Sequence, residues 1–202
     1  MATFKILCIG DSHTAGFPAF DPMMLGNPES SYQFWLKKGL LKTRPDSNYN
    51  FINEGVCGDT SRGIVFRLTQ ALETTHYDLV ILAGGTNDLG MTSEKQILKN
   101  LEEGYETCRK REIALIAPSI PPISLQDYVP KVITVNSGIK AYTAKFQNVF
   151  FADWCGALKD EQAFLENRYN SGDGVHLSVE GYKRIGVLLV PIVDNALSLK
   201  SL

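Results

Sequence analysis

The sequence has no Cys-x-x-Cys pair, no basic stripe, no apolar run of membrane-spanning length, and no linker, internal repeat or low-complexity stretch that would divide it. Each absence narrows what the chain can be. Four cysteines, Cys8, Cys57, Cys108 and Cys155, lie scattered, and neither they nor the three histidines fall at metal-ligand spacing. No metal or disulfide framework is expected, and the thiols read as free and mostly core. Twenty basic against 22 acidic residues leave a net charge of -2, without the electrostatic footprint of a nucleic-acid binder. A neutral or weakly charged small molecule suits such a surface better. The longest C-terminal apolar stretch, Ile185 to Val193, is broken by Gly186 and Pro191 and falls far short of a membrane span. The N-terminus enters a short strand-like run at once, with neither the apolar core nor the cleavage site of a signal peptide. The expectation is a soluble, cytoplasmic protein forming one domain over 1–202, long enough to bury a sizeable core. Oligomeric state has no signal in the sequence.

What the chain does contain is a rhythm of short β-type runs: Phe4 to Ile9, Tyr49 to Ile52, Leu79 to Ala83, Ile113 to Ala117 and Val149 to Phe151. Longer segments separate them, as in repeated βαβ units. Helical spacing is clearest at Leu98, Leu101, Tyr105 and Cys108, and recurs over Ser61 to Leu72, Pro130 to Phe146 and Ser178 to Leu197. Leu79-Val80-Ile81-Leu82-Ala83 is apolar without alternation, as expected where helices cover both faces of a parallel sheet. The predicted architecture is a three-layer α/β/α sandwich around a five-stranded parallel sheet. Right-handed crossovers would then bring the C-terminal end of every strand to one edge, where the loops converge. Two irregular Pro-containing segments, Phe17 to Pro28 and Pro118 to Pro130, are the candidate pocket walls. Phe17, Phe20, Met23 and Met24 in the first, with Ile120, Ile123, Leu125 and Tyr128 in the second, read equally well as an acyl pocket or as loop packing.

Four loops carry candidate chemistry. Gly10-Asp11-Ser12 ends the first β run and presents a hydroxyl; alone, the tripeptide reads as a helix cap or turn. Asn53 to Ser61 follows the second run, with Gly55 and Gly58 leaving backbone N–H groups accessible. Gly84-Gly85-Thr86-Asn87-Asp88 follows the third and offers a side-chain amide, a suitable donor to an anion. Near the C-terminus, Asp173-Gly174-Val175-His176 supplies an acid and an imidazole three residues apart, followed by Ser178, a reasonable helix cap. Each loop has a bland reading as turn or cap. One mechanism accounts for all four together. A serine hydroxyl needs a base, the base needs an orienting acid, and a tetrahedral intermediate needs donors for its oxyanion.

These blocks, in this order and spread over nearly the whole length, resemble those of the SGNH hydrolases, the GDSL-type esterases and lipases. The resemblance implies a sheet order like flavodoxin's, with Ser12 as nucleophile, His176 as general base and Asp173 as its orienting acid. It further implies an oxyanion hole made of the Ser12 and Gly58 backbone N–H groups and the Asn87 side chain, with no cofactor and no metal. The first block reads Gly-Asp-Ser-His where the family name has leucine in fourth place. His13 therefore adjoins the nucleophile, but neighbours in a tight loop tend to point apart, which favours His176 as base; His76 is read as surface or capping.

The activity expected is hydrolysis of small, short-acyl carboxylic esters through an acyl-enzyme. Acyl transfer, thioester hydrolysis or lysophospholipid hydrolysis on the same triad are the alternatives. A flavin or phosphate-binding protein is a more remote one, because a Ser/Gly loop after the first strand of a flavodoxin-like sheet also holds phosphate.

Overall fold

The computed structural model describes residues 2–199. Its first strand, β1 (Thr3–Gly10), runs into a single helical turn, α1 (Ser12–Ala15). A small antiparallel hairpin of β2 (Phe20–Asp21) and β3 (Leu25–Gly26) follows, and then α2 (Tyr32–Thr43). Next come β4 (Asn48–Gly55), α3 (Ser61–Thr74), β5 (Leu79–Leu82), α4 (Glu94–Lys110), β6 (Ala114–Pro118), α5 (Val129–Thr143) and β7 (Val149–Ala152). The chain ends its regular structure with the short α6 (Trp154–Leu158) and the long α7 (Val179–Ser198).

The main sheet has five strands in the order β4-β1-β5-β6-β7, all parallel. This is the flavodoxin-like order, with its topological switch between β1 and β5, where open α/β sheets leave a crevice for ligands. β1 shows why the strand sequences do not alternate in polarity. Ile6 and Cys8 join one apolar core with Tyr32, Leu36, Trp154, Tyr182 and Leu189. Leu7 and Ile9 point the other way, into a second core with Ile64, Leu68, Leu101, Tyr105 and Ile139. Successive strand residues face opposite sides, so a sheet covered on both sides must be apolar at every position.

The five β runs and four helical segments read from the sequence are all present, with shifted ends. β4 is longer than its apolar run, and α5 closes at Thr143 rather than Phe146. Helix α2 was not anticipated. Its buried residues are Tyr32, Gln33, Leu36 and Leu40, and the adjacent Phe34 and Trp35, three lysines and Gly39 blur the stripe. It becomes legible only against α7, where Gly39 lets the Val190 side chain approach its backbone. Pro191 sits inside α7 without ending it. Among the described residues no helix is long and apolar enough to cross a membrane.

Gly10 and Gly55 are register partners at the ends of β1 and β4, and the α1 turn rests directly on Gly55. A Cβ at Gly55 would overlap the backbone N and Cα of Ala15, atoms that cannot swing aside as a side chain can. Gly55→Ala is expected to cost about 3 kcal/mol, the upper range for overpacking. The check is a lowered urea midpoint at unchanged denaturant slope.

Candidate active site

The ends of β1, β4 and β5 bring three of the candidate loops to one edge, and the segment before α7 carries the fourth. Asp11 caps α1, its carboxylate accepting the His13 backbone N–H at 3.0 Å, which places Ser12 as the first residue of the turn. Ser12 is almost fully buried, yet its backbone N–H has no intramolecular acceptor among the described residues. Its Oγ lies 3.1 Å from His176 Nε2, and His176 Nδ1 lies 2.6 Å from Asp173 Oδ2. A carboxylate only accepts, so the proton sits on Nδ1 and the Nε2 lone pair faces the serine hydroxyl.

The 173–176 segment is a tight turn organised by its own aspartate. Asp173 Oδ1 accepts the Val175 N–H at 2.9 Å and the His176 N–H at 2.8 Å. Asn170 Oδ1 accepts the N–H groups of Gly172 and Gly174, and Ser178 caps α7 immediately afterwards. Partial burial pushes the Asp173 carboxyl up, but the hydrogen bonds from His176 and Val175 outweigh it and hold the group well below the ordinary carboxylate range. Phe17 lays its ring edge-on to the His176 imidazole, centroids 4.6 Å apart, and its carbonyl accepts the Tyr182 hydroxyl at 2.6 Å.

In the loop after β4, Gly58 has φ +79° and faces open space, a left-handed conformation that disfavours any side chain. Its N–H also has no intramolecular acceptor among the described residues. Asn87 Nδ2 donates one N–H to the Asp59 carbonyl at 2.9 Å, and an amide nitrogen has a second to offer. Asp88 caps α3 instead: its carboxylate accepts the Ser61 N–H and hydroxyl at 2.8 and 2.7 Å, joining the loop after β5 to the loop after β4.

Arg67 is the residue that the sequence reading missed. Its guanidinium donates to the Gly10 carbonyl at 2.9 Å, to the Glu54 carbonyl at 2.7 Å and to the Asp59 carboxylate at 2.7 and 2.9 Å. One side chain thereby ties the end of β1, the end of β4 and the Gly58 loop together. Two of its partners are main-chain carbonyls, which carry no mark in a sequence. An eight-residue Asp59 to Arg67 spacing was the available hint.

Of the candidate pocket residues, Ile120 and Ile123 belong to the core beneath the sheet edge, so of their two readings loop packing holds. Phe17 is 37% exposed, Met23 93% and Met24 86%. A groove of about 700 Å³ between α3 and α4 is lined by Thr60, Asp88 and Asn100 but not by Ser12, Asp173 or His176. His76 is exposed. His13 is buried, with Nε2 3.0 Å from the Val175 carbonyl and Nδ1 3.3 Å from Asp11 Oδ1. Burial pushes the His13 ring toward neutrality, yet Asp11 and the Val175 carbonyl outweigh it and raise its pKa. Among the described residues no group of three His, Cys, Asp or Glu side chains could hold a metal ion.

Two outcomes are expected. Arg67→Met removes the guanidinium's bonds to the Gly10 and Glu54 carbonyls and to Asp59, leaving the Gly10 carbonyl its Val56 N–H and Asp59 its Thr60 N–H, and should lower the unfolding free energy by about 2 kcal/mol in urea titrations, in the range for hydrogen bonds to charged groups. Asp173 titrates lower in the folded state than in the unfolded chain, so its stabilisation is complete above the unfolded value near about 4 and is lost as pH falls through the folded one. Asp173→Asn should therefore flatten part of the acid limb of stability, read as a smaller drop in melting temperature below roughly pH 4.

The model of the GDSL-like lipase/acylhydrolase family matches residues 8–184. Comparison with the curated proteins gives no match. Among solved structures, the chain is similar to a carbohydrate acetylesterase from Sinorhizobium meliloti, with TM-score 0.75, 21% identity and coverage of 95% of this chain and 99% of that one. A carbohydrate esterase of family 3 from Talaromyces cellulolyticus gives TM-score 0.76 at 17% identity, covering 98% and 99%. A GDSL-like lipase from Bacteroides thetaiotaomicron gives 0.71 at 22% identity, covering 95% and 88%. With a match over most of its length, the 2-1-3-4-5 order of its parallel strands and a serine hydrogen-bonded to a histidine, the chain belongs to the GDSL-like lipase/acylhydrolase family of the SGNH superfamily and is a GDSL-type acylhydrolase.

Proposed function

We propose that this acylhydrolase is a serine esterase cleaving small, short-acyl carboxylic esters through an acyl-enzyme on Ser12, the whole chain acting as one hydrolase domain. The observation that carries the reading is the series Asp173 Oδ2, His176 Nδ1 and Nε2, Ser12 Oγ, linked at 2.6 and 3.1 Å. His176 Nε2 takes the hydroxyl proton as Oγ bonds to the ester carbonyl carbon, and the carbonyl π electrons move onto its oxygen. That oxyanion is held by the Ser12 and Gly58 backbone N–H groups and the second N–H of Asn87, three donors without acceptors among the described residues. Collapse expels the alcohol oxygen, which leaves with the proton from His176. A water then repeats the sequence, giving up its proton to His176, and Ser12 departs with that proton as the acid is released. Asp173 keeps the imidazole in the Nδ1–H tautomer and faces the imidazolium with negative charge.

Small acyl groups are supported by what surrounds the serine. Ile120 and Ile123, which a long-chain pocket would have used, are buried in the core, and the groove of about 700 Å³ between α3 and α4 does not reach Ser12. One structural relative is a carbohydrate acetylesterase, so acetylated sugars belong in the substrate panel. The four thiols are unpaired, which fits the reducing cytoplasm.

Ser12→Ala should abolish both hydrolysis of p-nitrophenyl acetate and labelling by an organophosphonate; full activity in that variant would remove the assignment. Asn87→Ala should lower turnover by roughly a hundredfold to a thousandfold, the effect of deleting one oxyanion donor. A chain-length series of nitrophenyl esters reads the acyl preference, and product analysis with added alcohol separates hydrolysis from acyl transfer.

A further inference from the structure

The residue after the nucleophile is a buried histidine with a carboxylate of its own. Asp11 Oδ1 accepts the backbone N–H of His13 at 3.0 Å and faces its Nδ1 at 3.3 Å. Asp173 does the same for His176, accepting its backbone N–H at 2.8 Å through one oxygen and facing its Nδ1 at 2.6 Å through the other. The two imidazoles lie with centroids 5.7 Å apart, but their Nε2 atoms serve different partners. His176 Nε2 meets the Ser12 hydroxyl, while His13 Nε2 donates to the Val175 carbonyl at 3.0 Å.

That carbonyl belongs to the same planar peptide unit as the His176 N–H. The unit is therefore held at both ends, its N–H by Asp173 Oδ1 and its C=O by His13 Nε2. Without His13, Asp173 would fix the turn internally and Asn170 and Ser171 would tie it to the preceding segment, while among the described residues only the Ser124 N–H on the Gly174 carbonyl and the Ser12–His176 bond would join it to the other loops of the edge. The His13 contact spans 162 residues and starts one position from Ser12. Nucleophile loop and base loop are thus bolted directly to each other, in addition to their own ties to the scaffold through Gln33, Asn53 and Ser124.

We propose that His13 is a positioning residue, whose Nε2–H on the Val175 carbonyl sets the height and tilt of His176 over Ser12. The proposal rests on the reading of Ser12 and His176 as nucleophile and base.

The test compares His13→Gln, His13→Asn and His13→Leu, with turnover of p-nitrophenyl acetate expressed per serine titratable by organophosphonate, so that misfolded protein does not count. Glutamine carries an amide N–H to about the distance of Nε2; asparagine stops near Nδ1, and leucine has no donor. Expected is a fall in kcat of roughly tenfold or more for Asn and Leu with KM within about twofold, as for a slightly misplaced catalytic group. Gln should recover to within about threefold of the parent on the same scale. A merely structural role would lower melting temperature and the titratable fraction while leaving kcat per titrated site alone in all three, and that result overturns the proposal. So does a Gln variant as slow as Asn. If Leu does not fold, the Gln and Asn pair decides. If the His13 variants match the parent while Ser12→Ala is inactive, the positioning role alone falls. Turnover by Ser12→Ala would sink the triad reading itself.

Discussion

Ser12 Oγ and His176 Nε2 meet at 3.1 Å across 164 residues of sequence, and the geometry of the site depends on that meeting. A hydrogen bond of this kind tolerates errors of a few tenths of an ångström. Neither loop is long enough to search for the other, so the scaffold must bring them together. The parallel sheet does most of this. β1 ends at Gly10 in register with Gly55 of β4, while Ile9 pairs with Leu82 of β5, which puts three loops at one height before any side chain is considered. Packing of α7 across the sheet, through Tyr182, Ile185 and Leu189, brings in the fourth.

Aspartates perform the finer alignment. Asp11, Asp88 and Asp173 each accept a backbone N–H close to a candidate catalytic group, while Asp59 accepts both from the Thr60 N–H and from Arg67. At Asp11 and Asp173 the short carboxylate side chain is suited to this, since it reaches a main-chain donor two or three residues on without ordering a long stem, whereas Asp88 reaches back to Ser61, 27 residues earlier. The same residue type therefore recurs in the loops for a mechanical reason, and only Asp173 also faces the imidazole aligned with the serine. Arg67 complements them from the solvent side, using a rigid fork of donors to hold two carbonyls and one carboxylate at once.

Much of this was legible in the residues. The five β runs, the unalternating apolar strand Leu79 to Ala83 and the chain order of Ser12, Gly58, Asn87, Asp173 and His176 are local patterns, and a sandwich with converging loops follows from them. Helix α2 was hidden because its apolar contacts, Tyr32, Leu36 and Leu40, are interleaved with half-buried aromatics and exposed lysines and find their partner only in α7. Ile120 and Ile123 look alike as pocket or as core until the path of the loop is known. Arg67 was unreadable because its partners are carbonyls 13 and 57 residues away. His13 was read as pointing apart from Ser12, and its Nε2 indeed meets the Val175 carbonyl rather than the serine; what the sequence did not show is that its ring lies beside His176, engaged with the peptide that carries it.

What the sequence determined alone is the inventory and its order: which groups can carry a proton, which can donate to an anion, and which element each follows or precedes. Those depend on residue identity and short-range spacing, to which periodicity and turn chemistry respond. Only the tertiary structure decided which of two neighbouring histidines faces the serine, which aspartates cap and which one also orients, and how closely Gly55 must admit the α1 turn. These are matters of direction and distance between segments remote in the chain. They are set by sheet register and by the packing of both faces at once, and no local pattern encodes them.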